Sequence, residues 1–85
     1  MKEFTYTITD PIGIHARPAG MLAKLCKGFR STIMIRKGDK EVDVKRLVAL
    51  IGLAAKQGDT VTVTIDGPDE DSALSAVEAY FKENF

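Results

Sequence analysis

Several residue types are scarce in this chain of 85 residues, which has one cysteine, one histidine, three prolines and no tryptophan. A single cysteine, Cys26, excludes an intrachain disulfide. The fold must therefore rest on packing, which suits a reducing compartment. One histidine, His15, with no second histidine and no cysteine at ligand spacing, leaves nothing from which to build a structural zinc site, and no other cofactor is expected. Net charge is also missing: twelve Lys and Arg balance twelve Asp and Glu. Nucleic-acid backbones reward a basic excess, so no nucleic-acid partner is expected, and any use of positive charge must be local. The longest apolar run, Leu47 to Ala55, is far short of the roughly 20 residues of a membrane span. The start of the chain, MKEFTYTITDP, alternates polar and apolar residues and lacks the apolar centre of a secretory signal. A cytoplasmic protein without membrane insertion is the expectation.

What is present is enough for one small folded unit. The chain is 45% hydrophobic and 28% charged, a balance that favours folding over disorder. A chain of this size buries roughly 60–65% of the surface its unfolded form exposes, so its core is thin. One domain spanning residues 1–85, acting as a monomer, is expected.

The periodicity divides the chain into seven elements. Phe4, Tyr6 and Ile8 alternate with Thr5, Thr7 and Thr9, the period of a half-buried strand. Asp10, Pro11 and Gly13 end it. From Ala16 the spacing turns helical, with Ala19, Leu22, Ala23 and Cys26 on one stripe and Gly28 as the stop. Ile33 and Ile35 mark a second strand, Lys37-Gly38-Asp39-Lys40 a hairpin turn, and Val42 and Val44 a third strand. Lys45 to about Lys56 reads as a short helix closed by a Gly58-Asp59 turn. Val61, Val63 and Ile65 alternate with threonines in a fourth strand. Asp69 is the expected cap of a last helix, with Ala73, Leu74, Val77, Tyr80 and Phe81 as its buried stripe. The order βαββαβα, with threonine on one strand face and aliphatics on the other, implies an α+β sandwich whose sheet is covered by helices on one side only.

The segment Gly13-Ile14-His15-Ala16-Arg17-Pro18-Ala19 carries the chemistry. His15 falls where the first helix needs its N-cap. The backbone N–H groups of Ala16 and Arg17 have no intrahelical acceptor there, and the helix end is positive. Pro18 lacks an N–H that this position would not use, and its fixed φ prepares the helix. Such a place favours an anion. An imidazole nitrogen carries a lone pair that can attack phosphorus. A phosphoryl group on that nitrogen would be held by the two amides and the Arg17 guanidinium. On the residues alone this is an anion-binding site that holds a candidate nucleophile; a histidine serving only as a cap is the plainer alternative.

The same segment resembles the active-site signature of the HPr family of the phosphoenolpyruvate-dependent sugar phosphotransferase system. The likeness extends over the whole chain through Lys27-Gly28-Phe29, the helix after Lys45, Gln57-Gly58-Asp59 and Gly67-Pro68-Asp69-Glu70. It implies an open-faced β-sandwich with three helices on one face of a four-stranded antiparallel sheet. It also implies that His15 takes a phosphoryl group on Nδ1 from enzyme I and passes it to IIA-type acceptors, with Arg17 assisting. By this likeness the protein is a carrier and not an enzyme. Two positions depart from the pattern. The family's regulatory serine aligns with Arg46, which no serine kinase can modify, and a position often polar in the family is Ile12. The Gly67-Pro68 pair resembles the nitrogen-branch homologue, so a paralogue working as a regulatory binding module is the alternative to a sugar-transport carrier.

A docking face follows from helix geometry. With Ala19, Leu22, Ala23 and Cys26 inward, Gly20, Lys24 and Lys27 fall on the other side of the first helix, below His15 and Arg17. The second helix has almost no polar side. Leu50 and Leu53 are its better core candidates, leaving Leu47, Val48 and Ile51 as an apolar patch rimmed by Lys24, Lys27, Lys45 and Arg46. Such a surface suits an acidic partner. Cys26 reads as a core residue, and Asp69, Glu70 and Asp71 read as capping acids and not as metal ligands.

Overall fold

The structure, a computed structural model, describes all of residues 1–85. Its elements are β1 (Lys2–Thr7), α1 (Ala16–Lys27), β2 (Thr32–Lys37), β3 (Lys40–Asp43), α2 (Leu47–Gly52), β4 (Thr60–Asp66) and α3 (Glu70–Asn84). The four strands form one antiparallel sheet in the order β1-β4-β2-β3, so β4 enters between β1 and β2.

Strand alternation and register together make the two faces different. Phe4 lies opposite Val63, Val63 opposite Ile35, and Ile35 opposite Val42, so one apolar rung crosses all four strands. The next rung, Thr5, Thr62, Arg36 and Glu41, points the other way, into water. The Thr7 and Thr60 hydroxyls meet across that wet face at 2.9 Å. The three helices cover the apolar face. α1 buries Ala19, Leu22, Ala23 and Cys26, and α3 buries Ala73, Val77 and Phe81. The Phe81 ring packs edge-on against Phe4 and Tyr6, each at 5.7 Å between centroids. Burial pushes the Cys26 thiol up to about 12, which keeps it a protonated core residue.

Four local expectations need correction. The second helix spans only Leu47–Gly52, not Lys45 to Lys56. Arg46 is its extended N-cap, and Ala54 turns into the left-handed region at φ 57°, which stops propagation one turn early. Asp69 occupies the N-cap position of α3 but makes no capping hydrogen bond there. Its carboxylate turns to the α1–β2 connection, accepting from the Arg30 N–H, the Ser31 N–H and the Ser31 hydroxyl. Ile8 is buried beyond the end of β1, with its N–H donating to the Asp59 carbonyl at 2.9 Å. Leu74 and Tyr80 are half-buried flanks of the α3 stripe, which is completed by the buried Phe85.

Candidate functional site

His15 stands at the N-cap of α1 with an extended backbone, φ −129° and ψ 172°. Its carbonyl accepts the Ala19 N–H at 2.9 Å, closing the first helical turn. Its half-buried side chain makes no capping bond and stays available. The Ala16 and Arg17 N–H groups find no acceptor within the protein. The first turn of α1 thus presents two free donors and the positive end of twelve helical residues beside the imidazole.

The loop that delivers His15 is held from three directions. The Asp10 carboxylate accepts the Ile12 N–H at 2.8 Å and the Asp10 carbonyl accepts the Gly13 N–H at 3.0 Å, which tightens the turn. The Ile14 N–H donates to the Ala55 carbonyl at 2.9 Å. Gly13, at φ 82°, packs so close to that segment that a Cβ would lie 2.7 Å from the Lys56 Cα, so only glycine fits. From the far end of the chain, the Phe85 main-chain oxygen accepts the N–H groups of Thr9 and Asp10 at 2.6 and 2.8 Å. The Tyr80 hydroxyl donates to the Pro18 carbonyl at 2.6 Å.

These ties create an open cleft of about 340 Å³ around the imidazole. His15, Arg17, Pro18 and Met21 line it on the α1 side. Asp10 lines it from the loop, and Tyr80, Glu83 and Asn84 from the last turns of α3. The sequence alone did not place Asp10, Met21, Tyr80, Glu83 or Asn84 at this site. Met21 carried a local signal, an apolar residue off the buried stripe of α1, and it is 62% exposed. The α3 residues carried none, because only the fold brings them to His15. No group of three His, Cys, Asp or Glu side chains converges at metal-binding spacing.

The expected docking residues fall into two parts. Leu50 and Leu53 are buried, while Leu47, Val48 and Ile51 are exposed, Val48 to 86%. Lys27 and Arg46 are exposed beside Leu47 and Val48, while the exposed Lys24 lies with Met21, Leu25 and Tyr80. Gly20 is not on a free outer side of α1: it is half-buried and faces α2, where its missing Cβ would sit 3.9 Å from a Leu47 methyl. That contact joins the His15 end of α1 to the apolar patch. Lys45 leaves the expected basic rim, because its ammonium donates to the Phe29 and Ser31 carbonyls at 2.9 and 2.8 Å. Lys27, Lys45, Arg46, Leu47, Val48 and Ala49 line a shallow depression there.

A family model described as the PTS HPr component phosphorylation site matches residues 2–83. A phosphocarrier protein HPr from Lysinibacillus sphaericus is 40% identical over 83 residues, covering 98% of this chain and 94% of the relative. The solved structure of a histidine-containing phosphocarrier protein from Mycoplasma superposes with a TM-score of 0.91 at 37% identity, covering 93% of this chain and 90% of that one. An HPr from Thermoanaerobacter tengcongensis gives the same TM-score at 33% identity, covering 96% and 92%. The chain belongs to the HPr family, the phosphocarriers of the phosphotransferase system. No helix is long and apolar enough to cross a membrane.

Proposed function

We propose that this chain, acting in the cytoplasm as one monomeric domain, accepts a phosphoryl group on His15 from phospho-enzyme I. It then hands the group to IIA-type components for carbohydrate uptake. The observation that supports this most is the half-buried His15 imidazole beside two unbonded amides and the Arg17 guanidinium. A ring nitrogen attacks phosphorus through its lone pair as the donor's N–P bond breaks, and that bonding pair returns to the donor ring. The Ala16 and Arg17 amides and the guanidinium then hold the phosphoryl oxygens. Partner proteins supply most of the catalysis, docking over Gly20, Lys24, Lys27, Arg46, Leu47, Val48 and Ile51. Arg46 removes serine phosphorylation at that position from the control of this carrier.

Enzyme I and phosphoenolpyruvate should add one acid-labile phosphate, read by intact mass, and His15→Ala should abolish it. An acid-stable phosphate on a serine or threonine instead would overturn the assignment.

A further inference from the structure

The cleft around His15 holds more negative charge than an anion site needs. The charged groups that line the cleft with His15 are Asp10 from the β1–α1 loop, Arg17 from α1 and Glu83 from α3. The only other titratable group in the lining, the Tyr80 phenol, is committed to the Pro18 carbonyl. Asp10 is likewise committed, its carboxylate accepting the Ile12 N–H of the turn. Glu83 differs: its side chain takes part in no hydrogen bond and no ion pair, and Arg17 has no ion-pair partner either. An exposed carboxylate on the last turn of a helix also sits against the dipole's negative end, a place that favours cations. Neither helix stability nor tertiary bonding accounts for an acid at this position.

We propose that Glu83 is a positioning residue that sets how readily the carrier gives up its phosphoryl group, an inference that rests on His15 being the acceptor. Before transfer, the Glu83 carboxylate attracts the Arg17 guanidinium across the cleft. After transfer, a group of nearly two negative charges shares the cleft with the carboxylates of Asp10 and Glu83. Arg17 must then be shared between the phosphoryl group and Glu83, and the two anions repel. The phospho-form is raised in free energy relative to the free carrier, so transfer onward is favoured. Glu83 makes and breaks no bond: the N–P bond at His15 breaks with its electron pair returning to the ring, and the phosphorus joins the acceptor's nucleophile. Because the cleft is open to water, the field is screened and the effect is several-fold in an equilibrium constant, not orders of magnitude.

The test is the position of the phosphoryl equilibrium between the full chain and phospho-enzyme I, read by ³¹P NMR at matched concentrations. Glu83→Gln should shift the ratio about threefold toward the phosphorylated carrier, and Glu83→Lys should shift it further. Glu83→Asp should restore most of the wild-type ratio, and Glu78→Gln, on α3 outside the cleft, should leave it unchanged. The Gln shift should largely vanish at about 1 M salt, where the screening length is about 3 Å. Equal ratios for wild type and Glu83→Gln would overturn the proposal, as would a shift that high salt leaves intact. A wild-type chain that takes no phosphate on His15 would instead overturn the underlying reading, and this proposal with it.

Discussion

The Tyr80 hydroxyl donates a 2.6 Å hydrogen bond to the Pro18 carbonyl, tying the end of α3 to the first turn of α1 across 62 positions of sequence. Pro18 O lies one turn from His15, so the bond steadies the end of the helix on which the imidazole stands. Tyr80→Phe keeps the ring and its 5.9 Å contact with Phe85 but removes the donor. The expected cost is about 1 kcal/mol, or roughly 4–8 °C in Tm, with a slower phosphoryl transfer than the stability loss explains. Thermal melts paired with transfer rates check both. Burial raises the phenol above its ordinary range. A raised folded value means this group's stabilising contribution is intact below the unfolded tyrosine range and is lost as pH climbs through the folded one. An alkaline unfolding limb that is weaker in Tyr80→Phe is the expected result.

At the other end of α3, the Asp69 carboxylate is held below the usual carboxylate range, first by the Ser31 hydroxyl and then by the Arg30 and Ser31 N–H groups. Asp59 is lowered by the Lys56 N–H and, less, by Lys37 at 3.6 Å. A depressed folded value contributes stability above the unfolded carboxylate range, and that contribution is lost as pH falls through the folded value. Asp69→Asn should therefore melt lower at neutral pH, and its stability should fall less between about pH 5 and pH 2 than that of wild type. An unchanged acid limb in this variant would place the acid sensitivity elsewhere.

Ala54 is the only residue other than glycine with positive φ. Left-handed backbone costs an L-residue roughly 1–2 kcal/mol, part of which glycine returns through its larger unfolded-state entropy. Ala54→Gly should stabilise the protein by about 0.5 kcal/mol. Ala54→Val should destabilise it, and chemical denaturation of the pair is the check. Both variants leave the Lys37 ammonium its 2.9 Å bond to the residue 54 carbonyl, so the difference reports on φ.

The apolar patch and the basic rim should separate kinetically. Ile51→Ala removes partly exposed apolar surface and should weaken binding to enzyme I by on the order of 1 kcal/mol, mainly through faster dissociation. Lys24→Glu or Lys27→Glu should slow association, by an amount that shrinks as salt rises. Leu50→Ala, at a fully buried position, should instead cost roughly 2–5 kcal/mol of stability. Surface plasmon resonance with matched melts distinguishes them. If Ile51→Ala loses stability and no affinity, the partner surface lies elsewhere around His15.

Alternation and helical spacing were legible because each is local. Phe4, Val63 and Ile35 announce a buried strand face by period two, and Ala19, Leu22, Ala23 and Cys26 a buried helix face by their 3.6-residue spacing. The N-cap position of His15 was legible for the same reason, since Pro18 and the apolar stripe set where α1 begins. The end of α2 was not, because its residues favour helix through Leu53 and the chain turns left-handed at Ala54 to lead into the Ala55 contact with Ile14.

The sequence by itself therefore determined the order of elements, which strand face is wet, and the presence of a histidine at a helix start. Which side chains surround that histidine was decided only in three dimensions. Tyr80, Glu83 and Asn84 reach His15 because antiparallel pairing of β4 between β1 and β2 lays α3 across the sheet. The same tertiary packing draws Asp69 away from its helix and Lys45 away from the rim, to carbonyl and amide groups of the 29–31 loop. Buried backbone groups must find partners wherever the fold places them, and a local pattern carries no information about where that is.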